Sequence, residues 1–315
     1  MEQKLGNVLI TGGAGFVGSN LTKFLIKDNL ADKITVLDNE SVGSREVLSG
    51  FDVDFILGDL RDKSIVMQAL NGIDVVIHLA ADTRVIDSIK NPRFNFENNV
   101  LATFELMMSM VESGVSKLIN ASSGGAILGE VPPPVNELMV PNPLSPYGAS
   151  KLAIEGYSSA FSEIYNMNIM NLRFSNVYGP LSFHKGSVVA TCLKALLNRS
   201  PIVVYGDGEQ TRDYIYTEDL CRGIVQAIKS AQSGVFQLGT GVATSINQLI
   251  DNMKLVVGTD FAVNVEYKDA RLGEIIHTHC DISKARQAFD FNPTTQVREG
   301  IGHTWQWFQS LAVNE

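Results

Sequence analysis

The feature that most constrains the fold is a glycine-rich turn between two short apolar runs near the start of the chain. Residues 8–10 read Val-Leu-Ile and lead directly into 11–18, which read Thr-Gly-Gly-Ala-Gly-Phe-Val-Gly. An amphipathic segment at 19–29 and a second apolar run at 34–37 follow, and Asp38 ends that run. This order predicts strand, glycine turn, helix and strand, which is the βαβ unit that binds a dinucleotide.

Each glycine of the turn has a steric role in such a unit. Gly12 allows the tight turn, Gly15 lets the backbone approach a pyrophosphate, and Gly18 lets the helix lie close to the strand. The helix start offers unpaired N–H groups to the phosphates. Asp38 can accept both ribose hydroxyls and would repel a 2′-phosphate, so we expect NAD rather than NADP. The alternative is a glycine-rich turn that binds nothing.

Composition bounds the class of protein and its partners. The chain has 315 residues with 45% hydrophobic and 19% charged residues, which is typical of a globular protein with a large core. Its net charge of −9 argues against a nucleic-acid partner. No apolar run has the ~18 residues that a membrane span needs, and we expect no signal peptide. The three cysteines and five histidines lack metal-ligand spacing, so we expect no metal and a cytoplasmic protein.

Strands and helices keep alternating after residue 38. The pattern predicts further strands at 53–57, 74–81, 117–121 and 168–174, and helices at 63–70, 95–113 and 146–165. This alternation indicates an α/β fold with a doubly wound parallel sheet of the Rossmann type. His78, inside an apolar strand, is expected to be a core residue. Ligands bind beyond the carboxyl ends of such strands, which is where the sequence places Gly12, Asp38, Asp59, Ala80 and Ser122.

The regular alternation of strands and helices ends after residue 180, where the predicted loops lengthen and the predicted strands shorten. We expect a smaller, mixed α/β substrate lobe there, and we expect segment 235–239 to return to the large sheet as an edge strand. The predicted division is a dinucleotide-binding domain at 1–179 with returning segments at about 209–242, and a substrate domain at 180–208 and 243–315.

Tyr147 and Lys151 form the candidate catalytic pair. Residues 145–151 read Ser-Pro-Tyr-Gly-Ala-Ser-Lys, which predicts a helix start that places both side chains on one face, one turn apart. A free tyrosine needs roughly 4 kcal/mol to become a base at neutral pH, and one cation at ~6 Å supplies about 2.8 kcal/mol. Lys151 together with an oxidised nicotinamide ring is about enough. The alternative is an amphipathic helix on which the pair is coincidental.

Several further motifs together resemble one enzyme family. The first half has Gly-Asp-Leu at 58–60, His-Leu-Ala-Ala at 78–81, Asn-Asn-Val at 98–100 and Ser-Ser at 122–123. The second half has Arg-Phe-Ser-Asn-Val-Tyr-Gly-Pro at 173–180 and Tyr-Gly-Asp-Gly-Glu-Gln-Thr-Arg-Asp-Tyr at 205–214. Over nearly its full length the chain resembles the extended short-chain dehydrogenase/reductase family, and within it the nucleotide-sugar epimerases of the UDP-glucose 4-epimerase type.

The resemblance implies a role for individual residues. Tyr147 would be the base, and Lys151 would also hold the nicotinamide ribose. The residues expected to contact NAD are Gly12, Gly15, Phe16, Val17, Gly18, Asp38, Asn39, Asp59, Leu60, Leu79, Ala80, Ala81, Asn99, Tyr147 and Lys151. Those expected to contact a UDP-sugar are Asn176, Tyr205, Arg212, Arg271 and Glu274. Two arginines suit a diphosphate because each guanidinium can bind in a bidentate way.

The chain departs from the family at the catalytic hydroxyl. The family has three hydroxyl residues followed by Val-Tyr-Gly, whereas residues 122–129 here read Ser-Ser-Gly-Gly-Ala-Ile-Leu-Gly. Aligned on Gly129, the usual hydroxyl falls on Gly124. Either Ser123 or Ser122 reaches the sugar, or Tyr147 works without this partner; we favour Ser123.

The activity that the resemblance implies is an NAD-dependent interconversion of UDP-glucose and UDP-galactose, or of their N-acetyl forms, through a transient 4-keto sugar. Alternatives in the same family are a UDP-uronate epimerase or decarboxylase and a 4,6-dehydratase. The dehydratase is disfavoured because glycines occupy positions 124 and 125, where that class has an Asp-Glu pair. A catalytically silent NAD-binding sensor or partner subunit is an alternative of another class. Long helices at 95–113 and 147–165 suit a homodimer.

Overall fold

The computed structural model describes residues 3–270 and 275–312. Its strands are β1 Asn7–Thr11, β2 Lys33–Asp38, β3 Asp54–Leu57, β4 Val75–His78, β5 Lys117–Ser123, β6 Asn168–Phe174, β7 Asn176–Tyr178, β8 Ile202–Tyr205, β9 Thr211–Arg212, β10 Tyr214–Tyr216, β11 Gly234–Leu238, β12 Thr244–Ser245 and β13 Val265–Lys268.

The helices alternate with these strands through the first half of the chain. They are α1 Phe16–Lys27, α2 Lys63–Ala69, α3 Val85–Lys90, α4 Pro92–Phe96, α5 Ala102–Ser113, α6 Gly124–Leu128, α7 Pro146–Ile164, α8 Val188–Leu197, α9 Thr217–Lys229, α10 Ile246–Val257, α11 Ser283–Phe289 and α12 Val297–Ala312. Within the described ranges, no helix combines the length and the apolar character needed to cross a membrane.

Seven strands form one sheet in the order β11-β6-β5-β4-β1-β2-β3, and every neighbouring pair is parallel. The predicted doubly wound parallel sheet is therefore confirmed, as is the return of segment 234–238 as its edge strand. The strand order reverses at β1, which pairs with β2 on one side and with β4 on the other. The crevice at such a reversal is where open α/β sheets bind ligands.

Apolar side chains cover both faces of the sheet. Val8, Leu9 and Ile10 of β1 are completely buried, which explains why the strand reads as a continuous apolar run. In most of these strands, apolar residues on the two faces enter two separate clusters. One cluster includes side chains of α1, α9 and α11, and the other includes side chains of α2, α5 and α7.

Two helices differ from their predicted bounds. The first helix begins at Phe16 rather than at residue 19, because the glycine turn passes directly into it with Gly15 as its N-cap. The predicted helix at 95–113 consists of α4, a π-helical turn Glu97–Leu101 and α5. A π-turn adds a residue to one turn, and the helical period of the apolar residues does not reveal that addition.

A third apolar cluster lies outside the large sheet. It joins side chains of α8, α10 and α12 with Tyr178, Tyr214 and Tyr216. Short strands accompany it: β8 pairs with β13 and β7 with β10 in parallel, while β9 pairs with β12 antiparallel. The predicted division into dinucleotide-binding and substrate domains stays a prediction.

Candidate active site

The glycine turn forms a cradle at the start of α1. Gly12 has a positive φ of 71°, and a Cβ added to it would lie 2.6 Å from the Ala80 nitrogen. A Cβ on Gly18 would fall on the Gly12 carbonyl oxygen. No side chain caps α1, so the first N–H groups of this helix lack a capping side chain. This arrangement suits an anion approached by backbone alone.

Replacing Gly18 with alanine is expected to lower the free energy of unfolding by about 1–3 kcal/mol and to weaken NAD binding. The added methyl would meet backbone atoms of Gly12 and Gly13, so the turn itself would have to move. Urea unfolding and the amount of NAD retained after gel filtration measure the two effects. Gly156→Ala is the matched control, because Gly156 lies on α7 with open space around its Cβ position. Equal losses of stability and of bound NAD in both variants would contradict the role of Gly18 in the cradle.

Asp38 joins the glycine turn to the end of β2. Its Oδ2 accepts from the Ala14 N–H at 2.9 Å and its Oδ1 from the Glu40 N–H at 2.8 Å, and the side chain is 8% exposed. Burial raises the pKa of this carboxyl, and the backbone N–H groups oppose the rise. The predicted ribose acceptor thus lies where the turn and β2 meet.

Asp59 lies beside Asn39 at the end of the next strand. The Arg61 guanidinium donates to both Asp59 oxygens, each at 2.8 Å, and Asn39 Nδ2 donates to Oδ2 at 3.1 Å. The side-chain hydrogen bonds from Arg61 hold the pKa of the Asp59 carboxyl well below its usual range. Leu60 is buried in the apolar cluster behind them. The sequence did not single out Arg61, although it lies in the same turn as Asp59.

Asn99 holds the loop that follows β4, immediately after Leu79, Ala80 and Ala81. Its side chain is 2% exposed; Oδ1 accepts from the Asp82 N–H at 2.7 Å and Nδ2 donates to the Asp82 carbonyl oxygen at 2.9 Å. Nδ2 also donates to Ser150 Oγ on α7 at 3.1 Å. The π-helical turn thereby ties this loop to the helix that carries Tyr147 and Lys151.

Tyr147 and Lys151 lie one turn apart at the start of α7. Ser145 caps this helix, accepting from the Gly148 N–H at 3.2 Å, as the sequence predicts. Lys151 Nζ lies 6.0 Å from the centroid of the Tyr147 ring and donates to the Ala121 carbonyl oxygen at 2.8 Å. The pair therefore meets the carboxyl end of β5.

The environment of the pair shifts both pKa values. Burial raises the pKa of Tyr147 to about 12, a hydrogen bond with the Ser123 side chain lowers it, and the negative charge of Asp82 adds to the rise. Burial lowers the pKa of Lys151 to about 8, and the charge of Glu155 opposes this. The protein by itself therefore keeps the phenol protonated at neutral pH.

The two candidate serines face different partners. The Ser123 side chain lies close enough to Tyr147 to lower the pKa of its phenol, whereas Ser122 Oγ donates to Glu155 Oε1 at 2.7 Å. That carboxylate also accepts from Arg173 Nε at 2.9 Å and from its second terminal nitrogen at 2.7 Å. Ser122, included above as a second catalytic candidate, thus belongs to a buried ion-pair network. The spacing of Glu155 one turn after Lys151 was the only sequence signal for that network.

The space beside Gly124 is filled by Gln237 of β11. A Cβ added at Gly124 would lie 3.0 Å from Gln237 Nε2 and closer still to Oε1. Gln237 is 1% exposed, so its carboxamide cannot swing into solvent. The position at which the family carries its hydroxyl therefore has no room for a side chain here, a long-range contact that the sequence did not indicate.

Gly124→Ser is expected to lower the free energy of unfolding by about 1–3 kcal/mol, because the new side chain must displace a buried carboxamide. Adding Gln237→Asn shortens that carboxamide and should recover most of the loss, which double-mutant urea unfolding would measure. A single Gly124→Ser variant as stable as the unchanged protein would show that the contact is not restrictive.

The substrate candidates lie on the short strands of the second half. Asn176 is exposed at the start of β7, where its N–H donates to the Asp213 carbonyl oxygen at 2.9 Å. Arg212 is half-buried, and one of its terminal nitrogens donates to two carbonyl oxygens, those of Thr211 at 2.8 Å and Ile276 at 3.1 Å. The pairing of β7 with β10 keeps the Asn176 and Arg212 segments adjacent. Tyr205 ends β8.

Two further substrate candidates, Arg271 and Glu274, lie outside the described residues. His78 is a core residue, as expected: its ring nitrogens contact Thr11 Oγ1 at 2.7 Å and Thr103 Oγ1 at 2.8 Å. Burial lowers the pKa of His78 to about 3, so the ring is neutral. No group of three or more metal-ligating side chains occurs in the described part of the chain.

Several known proteins are similar to this chain in sequence and in fold. The chain is 31% identical over 316 residues to the UDP-glucuronate 4-epimerase of Thermodesulfobacterium geofontis, covering 96% of each chain. It is similar to the UDP-N-acetylglucosamine 4-epimerase of Methanobrevibacter ruminantium, solved with UDP-N-acetylmuramic acid, at 34% identity and a TM-score of 0.91, covering 99% of this chain and 100% of that one. It is also similar to the UDP-glucose 4-epimerase of Thermus thermophilus, solved with NAD, at 34% identity and a TM-score of 0.88, covering 96% and 99%.

The match to a family model extends over the sheet and most of the site described above. The model is that of the NAD dependent epimerase/dehydratase family, and it matches residues 8–239. These residues include the glycine cradle, Ser123, Tyr147, Lys151 and the strands that carry them. This chain therefore belongs to the NAD dependent epimerase/dehydratase family.

Proposed function

We propose that this chain is an NAD-dependent UDP-sugar 4-epimerase, interconverting UDP-glucose and UDP-galactose or their N-acetyl forms. The observation that carries the proposal is the placement of Tyr147 one helical turn before the buried Lys151, whose Nζ lies 6.0 Å from the Tyr147 ring centroid and donates to the Ala121 carbonyl oxygen. These groups lie at the carboxyl end of β5, on the same edge of the sheet as the glycine cradle. The three similar proteins are all 4-epimerases of UDP-sugars, which supports this reaction class.

The residues at the start of α1 fit a dinucleotide. The Cβ positions of Gly12 and Gly18 are already filled by backbone, so only bare main chain can line the cradle. Asp38 offers a buried carboxylate at the end of β2 for the ribose, and Asp59, Asn39 and Leu60 follow at the end of the next strand. NAD held by these residues would supply reversible hydride transfer at C4 of the sugar.

Tyr147 would take the proton of the sugar 4-hydroxyl. Lowering its pKa from about 12 to near neutrality requires ~7 kcal/mol. One cation at ~6 Å supplies about 2.8 kcal/mol, so the Lys151 ammonium alone falls short. A second positive charge of this effect, which an oxidised nicotinamide ring would supply, would bring the total to ~5.6 kcal/mol. That sum covers most of the cost, so the phenol would be far more acidic with the oxidised cofactor bound.

Asn176, Tyr205 and Arg212 would hold the UDP group, together with Arg271 and Glu274 on the family pattern. The two carbonyl oxygens that accept from Arg212 fix the plane of its guanidinium, which favours bidentate contact with a phosphate. A diphosphate held in this way would leave the 4-keto sugar free to turn and present its other face to the returning hydride.

Two alternatives differ in substrate or in class. The similarity to a UDP-glucuronate 4-epimerase favours a uronate substrate as the second candidate. A 4,6-dehydratase lacks support because Gly124 and Gly125 provide no acid for water elimination. A silent NAD-binding subunit is disfavoured because Ser123, Tyr147 and Lys151 are brought together.

The test is incubation of the purified protein with UDP-glucose, UDP-N-acetylglucosamine and UDP-glucuronate, each in a separate reaction, followed by NMR of the products. We expect inversion at C4 of the first or second substrate without added reductant. Inversion of the uronate alone would replace the proposed substrate by the second candidate. Release of water or carbon dioxide, or no turnover of any substrate, would contradict the proposed reaction.

We also propose a cytoplasmic homodimer built through α5 and α7. Tyr157 and Ile164 on α7 are 44% and 72% exposed, which leaves an apolar strip suited to a second copy. The three cysteines are free thiols, which fits a reducing compartment. Sedimentation at several concentrations of the protein and of an Ile164→Glu variant would test the dimer.

A further inference from the structure

Lys185 is a charged residue for which the proposed reaction has no role. It lies in the loop between β7 and α8, and its Nζ is 4.4 Å from the centroid of the Phe16 ring. The side chain is partly buried, and this burial lowers the pKa of its ammonium to about 8. A positive charge is thus held against the first residue of α1.

Hydrogen bonds fix this loop against α1. Asn20 Nδ2, on the first turns of α1, donates to the Pro180 carbonyl oxygen at 3.0 Å and to that of Phe16 at 2.8 Å. The Lys185 N–H donates to the carbonyl oxygen of the buried Ser182 at 2.9 Å. The position of Lys185 over the helix start is therefore built by the fold.

The charges at this place do not balance within the described part of the protein. The start of α1 is electropositive, with no acidic residue in its first turn and no capping side chain. Burial is the sole influence on the pKa of Lys185, and no salt bridge of the described residues includes it. The π-face of Phe16 offsets part of the cost of burying the ammonium, but it supplies no counter-charge. A helix start beside a lysine that has no acidic partner among the described residues is the arrangement that an anion stabilises.

We propose that the Lys185 ammonium binds a phosphate oxygen of the ligand at the start of α1, opposite the backbone N–H groups of the glycine cradle. This inference rests on the proposed function, which supplies two groups of that chemistry: the pyrophosphate of NAD and the diphosphate of the UDP-sugar. Phe16 holds the lysine in place, and the cradle and Lys185 contact the phosphate from two sides.

The test compares Lys185→Met and Lys185→Arg with a matched control, Lys23→Met. Lys23 lies on α1, the helix against which Lys185 packs. Its Nζ lies 5.3 Å from the centroid of the Phe51 ring, and burial also lowers its pKa. Calorimetry measures NAD binding to cofactor-stripped protein, and UDP and uridine binding to NAD-loaded protein. Thermal unfolding confirms that each variant is folded.

We expect Lys185→Met to lower the affinity for one of the phosphate ligands by about 10- to 100-fold, which is the effect of losing one charge-assisted hydrogen bond. Weaker NAD binding assigns Lys185 to the cofactor, whereas weaker UDP binding with unchanged uridine binding assigns it to the substrate. Lys185→Arg should retain most of the affinity, and Lys23→Met all of it.

Unchanged NAD and UDP affinities in Lys185→Met would overturn the inference and leave the proposed function standing. An equal loss in Lys23→Met would overturn it as well, because the effect would then belong to any lysine packed on α1. If the unaltered protein binds neither NAD nor UDP, the inference and the proposed function fail together.

Discussion

Tyr147→Phe is expected to keep NAD bound and to lower the epimerisation rate constant by about 10²- to 10⁴-fold, the contribution of a positioned general base. The Tyr147 ring centroid lies 6.0 Å from Lys151 Nζ, and the Ser123 side chain lowers the pKa of its phenol. Phenylalanine preserves the ring and its packing while it removes the proton acceptor. NAD should remain because the glycine cradle and Lys151 are unchanged.

The measurement is the initial rate of C4 inversion, with bound NAD counted in the same samples. Tyr157→Phe is the control, because Tyr157 lies on the same helix, 44% exposed, with its ring 5.3 Å from that of Phe104. This control should turn over like the unchanged protein. A Tyr147→Phe enzyme that retains full activity would show that another group takes the proton.

Arg173→Met is expected to lower the free energy of unfolding by about 3–5 kcal/mol, because it leaves the carboxylate of Glu155 buried without its cation. Arg173 is 3% exposed and Glu155 8%, and two hydrogen bonds of 2.9 and 2.7 Å join them. Ser122 alone cannot replace the lost charge. The pair also connects α7 to β6, so its loss should loosen the helix that carries Lys151.

Urea unfolding measures the effect, with two controls. Lys254→Met breaks an exposed pair with Asp251, whose side chain is 67% exposed, and should change stability by less than ~1 kcal/mol. The double variant Glu155→Met and Arg173→Met removes both charges and should recover much of the lost stability. A small effect of Arg173→Met alone would mean that water reaches the carboxylate.

Local patterns were sufficient to predict the fold because each strand and helix carries its own periodicity. The strands of the large sheet, the glycine turn and the start of α7 agree with their predicted positions to within a few residues. The π-helical turn at Glu97–Leu101 was not predictable, because one extra residue leaves the apolar spacing on either side unchanged.

The site was predictable where its residues belong to one motif, and less so where strands bring distant residues together. Tyr147 and Lys151 lie on one helix, so their spacing sufficed. The choice between Ser122 and Ser123 depends on which face of β5 each side chain occupies. Glu155 lies on the Ser122 face and accepts a hydrogen bond from Ser122. Gln237 reaches Gly124 only because β11 joins the same sheet, a contact that spacing along the chain does not encode.

The ionisation of Tyr147 is the direct test of the central claim that the oxidised cofactor and Lys151 together make this phenol a base. Tyrosine labelled with carbon-13 at Cζ allows its pKa to be measured by NMR, and Tyr147→Phe identifies the signal. In stripped protein the pKa should be about 12. With oxidised NAD bound, the one cation that it adds at ~6 Å should lower this pKa by roughly 2 units. The same pKa in both states would contradict the mechanism proposed for this enzyme.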